Sequence, residues 1–367
     1  MDPVDSVLGF GRVDGYLLRS WDSGNVNHDS LDFHNVAQLV EPDSGRGRLL
    51  QRVPESVRAD LNEGAQGRVR HPAGVELRFV PDGPVELTLS MAPGGSADSG
   101  TVRVFWGPIQ GYDEFEIGTE PRTITVEMPE KLTRLKESAT EDLAFDPRVC
   151  RVVLPGEHRG GYTLYHGAAG DRRPPTDDEL PDRTYLAYGT SITEGEAPLG
   201  EHLTYVNQTA RRLDADLVNL GSCGTAYCDE AIADHIADRD DWDVATLSVS
   251  VNMVGTFDVE TFRERAAYLV DTVASAHPDK PIACITIFRC SRDVVEGHEE
   301  AETVERFREA LREVVAESPH GNVRLLEGPE LLPSIDGLTT DLVHPGDGAM
   351  TTMAEHLAAE LRPLLAN

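Results

Sequence analysis

The spacing of hydrophobic and polar positions changes near residue 170. Before that point, apolar residues alternate with polar ones in short runs, as in strands that bury one face. The runs lie at 75–79, 85–89, 102–106, 124–126, 149–153 and 162–165, and turn clusters rich in Gly and Pro lie at 81–84, 93–96 and 155–161. This pattern predicts that residues 1–170 form an all-β sandwich of jelly-roll type.

After residue 184 the pattern changes to apolar runs that alternate with amphipathic helical stretches. The predicted strands are 184–188, 216–220, 244–251, 281–288 and 322–326, and the predicted helices are 202–213, 229–238, 259–276, 299–317 and 347–362. Alternation of this kind predicts an α/β domain, with a parallel sheet between two layers of helices. The charged, Pro-rich stretch 171–183 is predicted to be a linker, which makes 184–367 the second domain.

The charge of the chain restricts its partners. Asp and Glu number 64 against 33 Lys and Arg, so the net charge is −31. Such a chain repels nucleic acid and anionic membranes, and neither is expected as a partner. Only three of the basic residues are lysines, Lys131, Lys136 and Lys280. Acidity with so little lysine favours a halophilic protein adapted to molar salt over a merely acidic mesophilic one.

The chain carries few signals of export or metal binding. Residues 1–6 have neither a basic segment nor an apolar run, so we expect a cytoplasmic protein with reduced thiols. No stretch is long and apolar enough to predict a membrane span. Cys223, Cys228 and His235 are near in sequence, but their spacing matches no zinc motif, so no metal is expected. Trp106, Tyr112 and Phe115 are expected to fill the sandwich core; the alternative is a sugar-stacking platform.

Candidate chemistry stands at the ends of the predicted strands, where parallel sheets bind ligands. Ser191 follows the first strand, a Gly-rich turn at 219–224 follows the second, and Asn252 follows the third. Asp341 and His344 precede the last helix. Singly, these residues have ordinary interpretations: a Ser/Thr-rich helix entry, a strand-end cap and a helix-entry acid. Together they supply a nucleophile, oxyanion donors, a base and a group that orients the base.

These blocks resemble the SGNH (GDSL-type) hydrolase superfamily over residues 184–367. The quoted matches are Gly189-Thr-Ser-Ile-Thr193, Gly221, Asn252 and Asp341-Leu-Val-His344, whereas Thr190, Ser250 and Met253 depart from the usual pattern. The resemblance implies a flavodoxin-like fold and a Ser191–His344–Asp341 triad. It further implies an oxyanion hole formed by Ser191 N–H, Gly221 N–H and the Asn252 amide, and no cofactor. The upstream β-domain resembles that of two-domain carbohydrate esterases and of an acyltransferase-like branch from polyketide biosynthesis.

The resemblance implies a serine esterase that acts on a small-molecule ester. The strand ends carry small and polar residues, and the charged loop 289–299 follows the fourth strand. We therefore expect a short acyl group, acetyl above all, on a polar alcohol or an acetylated carbohydrate. Two alternatives remain open: an acyltransferase that uses the same triad, and a non-catalytic carbohydrate-binding protein. The oligomeric state does not follow from the sequence.

Overall fold

The computed structural model describes residues 26–42, 44–92, 97–156 and 161–366. The N-terminal part of these contains twelve strands and two α-helices, besides three 3-10 helices of three residues each. The strands are β1 Val26–His28, β2 Leu31–His34, β3 Gln38–Val40, β4 Arg48–Gln51, β5 Glu76–Pro81, β6 Val85–Met91, β7 Gly100–Trp106, β8 Ile109–Ile117, β9 Arg122–Val126, β10 Cys150–Val153, β11 Thr163–Ala169 and β12 Arg172–Arg173; the helices are α1 Glu55–Arg58 and α2 Glu63–Arg68.

These strands form two antiparallel sheets, in the orders β1-β2-β5-β10-β7-β8, with β12 beside β5, and β3-β4-β11-β6-β9. The sheets share one core, because Leu77 and Val104 of the first lie in the same apolar cluster as Leu87 and Tyr165 of the second. The predicted N-terminal β-domain is therefore confirmed, although it also contains the short helices α1 and α2. Residues 1–25, the predicted turn at 93–96 and most of the turn at 155–161 lie outside the described residues.

The C-terminal part alternates strands with helices. Its strands are β13 Arg183–Gly189, β14 Ala215–Asn219, β15 Val244–Ser248, β16 Ile282–Ile285 and β17 Val323–Leu326; its helices are α3 Ser191–Glu194, α4 Tyr205–Arg212, α5 Glu230–Ala237, α6 Val259–Ala276, α7 Ser291–Val294, α8 Ala301–Glu317, α9 Gly328–Leu331 and α10 Asp347–Leu365. The sheet is parallel in the order β14-β13-β15-β16-β17. This is the flavodoxin-like order 2-1-3-4-5.

Side-chain alternation along the strands produces the three predicted layers. Tyr185 and Ala187 of β13 pack with α4 and α10, whereas Leu186 and Tyr188 pack with α5, α6 and α8. Both faces are buried, which is why these strands are nearly continuous apolar runs in sequence. The predicted α/β domain is thus confirmed, and the helix predicted at 259–276 has the observed bounds, Val259–Ala276.

Other predicted boundaries differ from the structure. The third strand ends at Ser248 instead of 251, and the fourth ends at Ile285 instead of 288. The apolar residues beyond these ends stay buried in loops, so hydrophobicity alone extended the prediction too far. Tyr112 is fully exposed on β8, and its prediction as a core residue is wrong; Trp106 is buried and Phe115 packs against the core.

The stretch 171–183, predicted as a linker, is folded onto the sandwich. Arg172 and Arg173 pair with β5. Glu179 is buried and accepts hydrogen bonds of 2.7 Å from Arg173 to both carboxylate oxygens. The chain therefore enters β13 from a fixed position.

The two domains also share a buried boundary. Val53, Leu61 and Val69, from the segment between β4 and β5, belong to the same apolar cluster as Ile232 of α5. Beside them, the fully buried Arg78 of β5 donates to both carboxylate oxygens of Asp216 on β14, at 2.6 and 2.7 Å.

Candidate active site

Ser191 lies where the chain leaves the carboxyl end of β13, as the first residue of α3. The turn is tight, because a Cβ on Gly189 would lie 2.2 Å from Thr193 Oγ1. Thr193 and Glu194 donate their N–H groups to Thr190, whereas the N–H of Ser191 has no acceptor among the described residues. The turn thus leaves one donor free beside the Ser191 hydroxyl.

His344 connects Ser191 to Asp341. Its Nε2 lies 2.9 Å from Ser191 Oγ, and its Nδ1 lies 2.7 Å from Asp341 Oδ2. A carboxylate at Nδ1 favours the tautomer that carries its proton there and presents an unprotonated Nε2 to the hydroxyl. The structure therefore brings these three predicted residues into one hydrogen-bonded chain.

Asp341 is held by the loop 338–346, here called the histidine loop. Its Oδ1 accepts from Thr339 Oγ1 at 2.8 Å, from Val343 N at 2.8 Å and from His344 N at 3.0 Å. Partial burial on its own would raise the pKa of this carboxyl, but the hydrogen bonds from His344, Val343 and Thr339 bring that pKa well below its usual range. Asp341 therefore stays ionised and fixes the ring of His344.

Asn252 lies in the turn after β15, and its amide orientation follows from its partner. Its Oδ1 accepts from the backbone N–H of Ala226 at 3.3 Å. Since a backbone N–H is a donor, the oxygen must face Ala226 and the NH₂ group must point away from it. That NH₂ group has no acceptor in the described part of the chain. Ser250, two residues earlier, has φ 92° and is buried, so the turn holds a conformation that is costly for a residue with a side chain.

Gly221 occupies a different role from the predicted one. Its N–H donates to Asn219 Oδ1 at 2.8 Å and so is not free to hold an oxyanion. A Cβ on Gly221 would lie 2.3 Å from Glu194 N, so the glycine is required for close packing against α3. Gly224, three residues later, is exposed at φ 70°, and its N–H has no acceptor among the described residues. Gly224 is the second glycine of the same Gly-Ser-Cys-Gly turn.

Arg52, which sequence analysis also missed, reaches this glycine turn from the sandwich. Arg52 is 1% exposed, and its guanidinium donates to the carbonyl oxygens of Asn219 at 2.8 Å and Gly221 at 2.9 Å. It donates as well to the carbonyls of His71 and Arg68. One buried cation thereby joins the N-terminal domain to the backbone beside Ser191.

Glu194, the last residue of α3, binds the same glycine turn through its carboxylate. One carboxylate oxygen accepts from Cys223 N at 2.5 Å, and the other lies 3.0 Å from His71 Nδ1 and 3.4 Å from Arg68 Nη1. Burial alone would raise the pKa of Glu194, but His71 and the nearby arginines Arg52 and Arg68 lower it below the usual value. The ionised carboxylate lies three residues after Ser191, so its contacts connect the N-terminal domain to the turn that carries Ser191.

The cysteines and His235 form no site with the features of a metal centre. Among the described residues, no three His, Cys, Asp or Glu side chains form a metal-binding group. His235 is buried, and desolvation lowers its pKa to about 3. Burial and the charge of Glu194 raise the pKa of the Cys223 thiol to about 12, so this thiol near Ser191 remains protonated and weakly nucleophilic.

A small apolar cavity adjoins the hydrogen-bonded chain. It is lined by Ile192, Val251 and Val343, which neighbour Ser191, Asn252 and His344 in sequence, and by Phe288 and Arg289. Its volume is about 10 Å³, near the lower limit for a single water. The arrangement offers a nucleophile, a base and free N–H donors beside a restricted apolar recess.

The C-terminal domain matches a known family over nearly its whole length. Residues 182–362 match the model of the GDSL-like lipase/acylhydrolase family. The match covers the parallel-sheet domain and does not extend to the sandwich. The predicted relation to SGNH hydrolases is thereby confirmed, and the protein is an SGNH-type enzyme with an N-terminal β-domain. No curated protein matches the chain significantly in sequence.

Solved structures share the two-domain fold of this SGNH hydrolase. The salicylyl-acyltransferase SsfX3 from a tetracycline biosynthetic pathway is 17% identical, over 94% of this chain and 98% of its own, with a TM-score of 0.68. A family two carbohydrate esterase from Clostridium thermocellum is 19% identical, over 80% and 92%, with a TM-score of 0.55. Another from Cellvibrio japonicus is 16% identical, over 93% and 96%, also with a TM-score of 0.55. Within the described residues of this hydrolase, each helix is too short or too polar to cross a bilayer.

Proposed function

We propose that the protein is a serine esterase in which Ser191, His344 and Asp341 form the catalytic triad. The observation that carries this proposal is the hydrogen-bonded chain of 2.9 and 2.7 Å that joins the three side chains. Ser191 Oγ attacks the ester carbonyl while His344 Nε2 takes the hydroxyl proton. The tetrahedral intermediate collapses, and the departing alcohol takes that proton. Water then attacks the acyl-enzyme by the same route and releases the acid.

The oxyanion would be held by donors that have no other partner. Ser191 N–H and the Asn252 NH₂ group are free in the described structure. We assign the third donor to the free N–H of Gly224 instead of Gly221, whose N–H is engaged by Asn219. Preorganised donors of this kind stabilise the charge that develops in the transition state.

The substrate we propose is a short-chain ester, above all an acetyl ester, of a polar alcohol or a carbohydrate. The cavity beside Ser191 has room for few atoms, which favours a small acyl group. Two structural neighbours are carbohydrate esterases by name, which supports a sugar as the alcohol. We test this with kcat/KM across p-nitrophenyl esters of rising chain length and across acetylated sugars. A maximum at long acyl chains, or no acetate release from any polar acetyl ester, would contradict it.

The nucleophile is tested by fluorophosphonate labelling. Ser191→Ala should abolish both labelling and esterase activity while the thermal unfolding transition remains. Ser222→Ala is the matched control, since Ser222 lies in the adjacent turn with its hydroxyl bonded to Thr225; it should keep both. Labelling that survives in Ser191→Ala would show that another residue is the nucleophile.

Acyl transfer to a second alcohol is the other candidate. It is supported by the likeness to an acyltransferase that extends over both domains. The two candidates differ in the fate of the acyl-enzyme, so the measurement is the ratio of transferred ester to free acid as an acceptor alcohol is added. A ratio that rises steeply at millimolar acceptor favours transfer, and free acid as the dominant product favours hydrolysis.

A further inference from the structure

Arg289 lies at the same edge of the sheet as the triad, in the loop that follows β16. It lines the apolar cavity together with Ile192, Val251 and Val343. The next residues of its loop contact the histidine loop, because Ser291 N donates to the carbonyl oxygen of Leu342 at 2.6 Å. Arg289 is therefore next to the residues that flank Ser191, Asn252 and His344.

The guanidinium of Arg289 has no partner within the described structure. Its Nε–H is enclosed and donates to no carbonyl or carboxylate oxygen. Every other buried or half-buried arginine among the described residues donates to such an oxygen or pairs with an acid; examples are Arg52, Arg78, Arg292 and Arg308. An unpaired cation that is partly withdrawn from water is costly, so its presence in an active-site recess indicates a ligand.

No acid of the loop that carries Arg289 pairs with it in the described structure. Glu296 and Glu299 are exposed and make no such contact, and the other two acids bind other groups. Asp293 accepts from Arg308 at 2.6 and 2.9 Å and from Cys290 N at 2.9 Å. Glu300 accepts from Arg292 at 2.9 Å. The acids of its own loop therefore leave the positive charge of Arg289 uncompensated, in a chain whose net charge of −31 otherwise repels anions.

We propose that Arg289 binds a carboxylate carried by the substrate, close to the ester bond that Ser191 attacks. This inference rests on the proposed esterase function and adds the charge of its substrate. A guanidinium fork matches a carboxylate in two parallel hydrogen bonds, and a partly buried site strengthens them. The carboxylate belongs either to the acyl part, as in a dicarboxylic half-ester, or to the alcohol part, as in an acetylated uronic acid.

Two pairs of substrates separate these sources. The acyl pair is p-nitrophenyl hydrogen succinate and p-nitrophenyl butyrate; the alcohol pair is an acetylated methyl glucuronoside and the corresponding glucoside. The wild type should prefer the acid in one pair. Arg289→Gln should lower that preference, measured as the ratio of the two kcat/KM values, about tenfold to hundredfold, as loss of charge-assisted hydrogen bonds does. Its kcat/KM for p-nitrophenyl acetate, which carries no carboxylate, should fall less than its kcat/KM for the preferred acid. Arg289→Lys should keep part of the preference.

Arg183→Gln is the matched control, because it removes one exposed arginine at the amino end of β13, away from the site. It should leave both preferences unchanged. The proposal is overturned if the wild type prefers the acid in neither pair, or if Arg289→Gln lowers turnover of p-nitrophenyl acetate and of the acids alike.

A second measurement does not depend on turnover. Millimolar glucuronate or succinate should raise the Tm of the wild type, with no rise for glucose or butyrate and none in Arg289→Gln. If the wild type hydrolyses no ester, the proposed function fails, and this Tm difference still decides whether Arg289 binds a carboxylate. Equal Tm shifts in the wild type and Arg289→Gln would overturn the proposal.

Discussion

Arg52 Nη1 donates a hydrogen bond of 2.8 Å to the carbonyl oxygen of Asn219, although the two residues are 167 positions apart and lie in different domains. The same guanidinium holds the carbonyl of Gly221. The sandwich thus fixes the backbone that leads to the free N–H of Gly224. The contribution of Arg52 to catalysis can be separated experimentally from its contribution to stability.

Arg52→Lys should lower kcat about tenfold or more, with a smaller change in KM, because an ammonium group lacks the planar fork that holds several carbonyls. Arg78→Lys is the control: it weakens the same domain boundary at Asp216, near the amino end of β14. Both variants should lower the Tm, but only Arg52→Lys should lower kcat beyond the effect of unfolding. Equal loss of kcat in both would mean that Arg52 acts through stability alone.

Asn252→Ala should reduce kcat by about 10²- to 10³-fold with a smaller change in KM, as removal of one oxyanion donor does. Asn322→Ala provides the comparison, since the Asn322 amide donates to the carbonyls of His277 and Lys280 and has a purely structural place. That variant should lose Tm and keep kcat. If Asn252→Ala shows this second pattern, Asn252 is a structural cap.

Acid should loosen the domain boundary through Glu76. Burial alone would raise the pKa of this carboxyl, but the charges of Arg151 and Arg78 lower it to about 2. A depressed folded-state pKa contributes stability that is fully present above the ordinary value near 4.5 and is lost as the pH falls towards 2. Wild-type Tm should therefore fall through that interval. Glu76→Gln should cost about 3–5 kcal/mol at pH 7, because it removes the charged partner of Arg151 and one of the two acids bound to Arg78. Its Tm should depend less on pH in that interval.

Salt should stabilise this acidic protein. Repulsion among 64 acids against 33 basic residues is strongest in dilute buffer and is screened at high ionic strength. Tm and activity should rise between dilute buffer and molar KCl. Sucrose of equal osmolarity serves as the control, since excluded solutes stabilise folded proteins without screening. A Tm that stays flat in KCl, or rises no more than in sucrose, would rule out a halophilic adaptation.

The parts of the fold that sequence analysis predicted are those with a local hydrophobic signal. The central strands bury both faces, and α6 buries one continuous stripe. The spacing of apolar residues that these elements require is therefore present within each element's own sequence. Strands β1–β4 are three or four residues long, too short to establish a period, and were missed. Strand β8 lies at the edge of its sheet with mostly exposed side chains, so it lacks the alternation of a half-buried strand.

Some residues of the candidate site could likewise be predicted from the sequence, and others could not. Ser191, Asn252 and His344 could be proposed together because parallel strands bring their carboxyl ends to one edge. Arg52 and Glu194 could not, because their roles arise from contacts with residues distant in sequence. The engagement of the Gly221 N–H could not be predicted either, because it depends on the position of the Asn219 side chain.

The buried boundary between the domains constrains how the protein can change over evolutionary time. Asp216 and Glu194 of the parallel-sheet domain face Arg78 and His71 of the sandwich. A chimera with the sandwich of a distant relative would confront these acids with unmatched side chains. Substitutions on either side are therefore expected to arise in compensating pairs, and the two domains to be inherited as one unit instead of being shuffled separately.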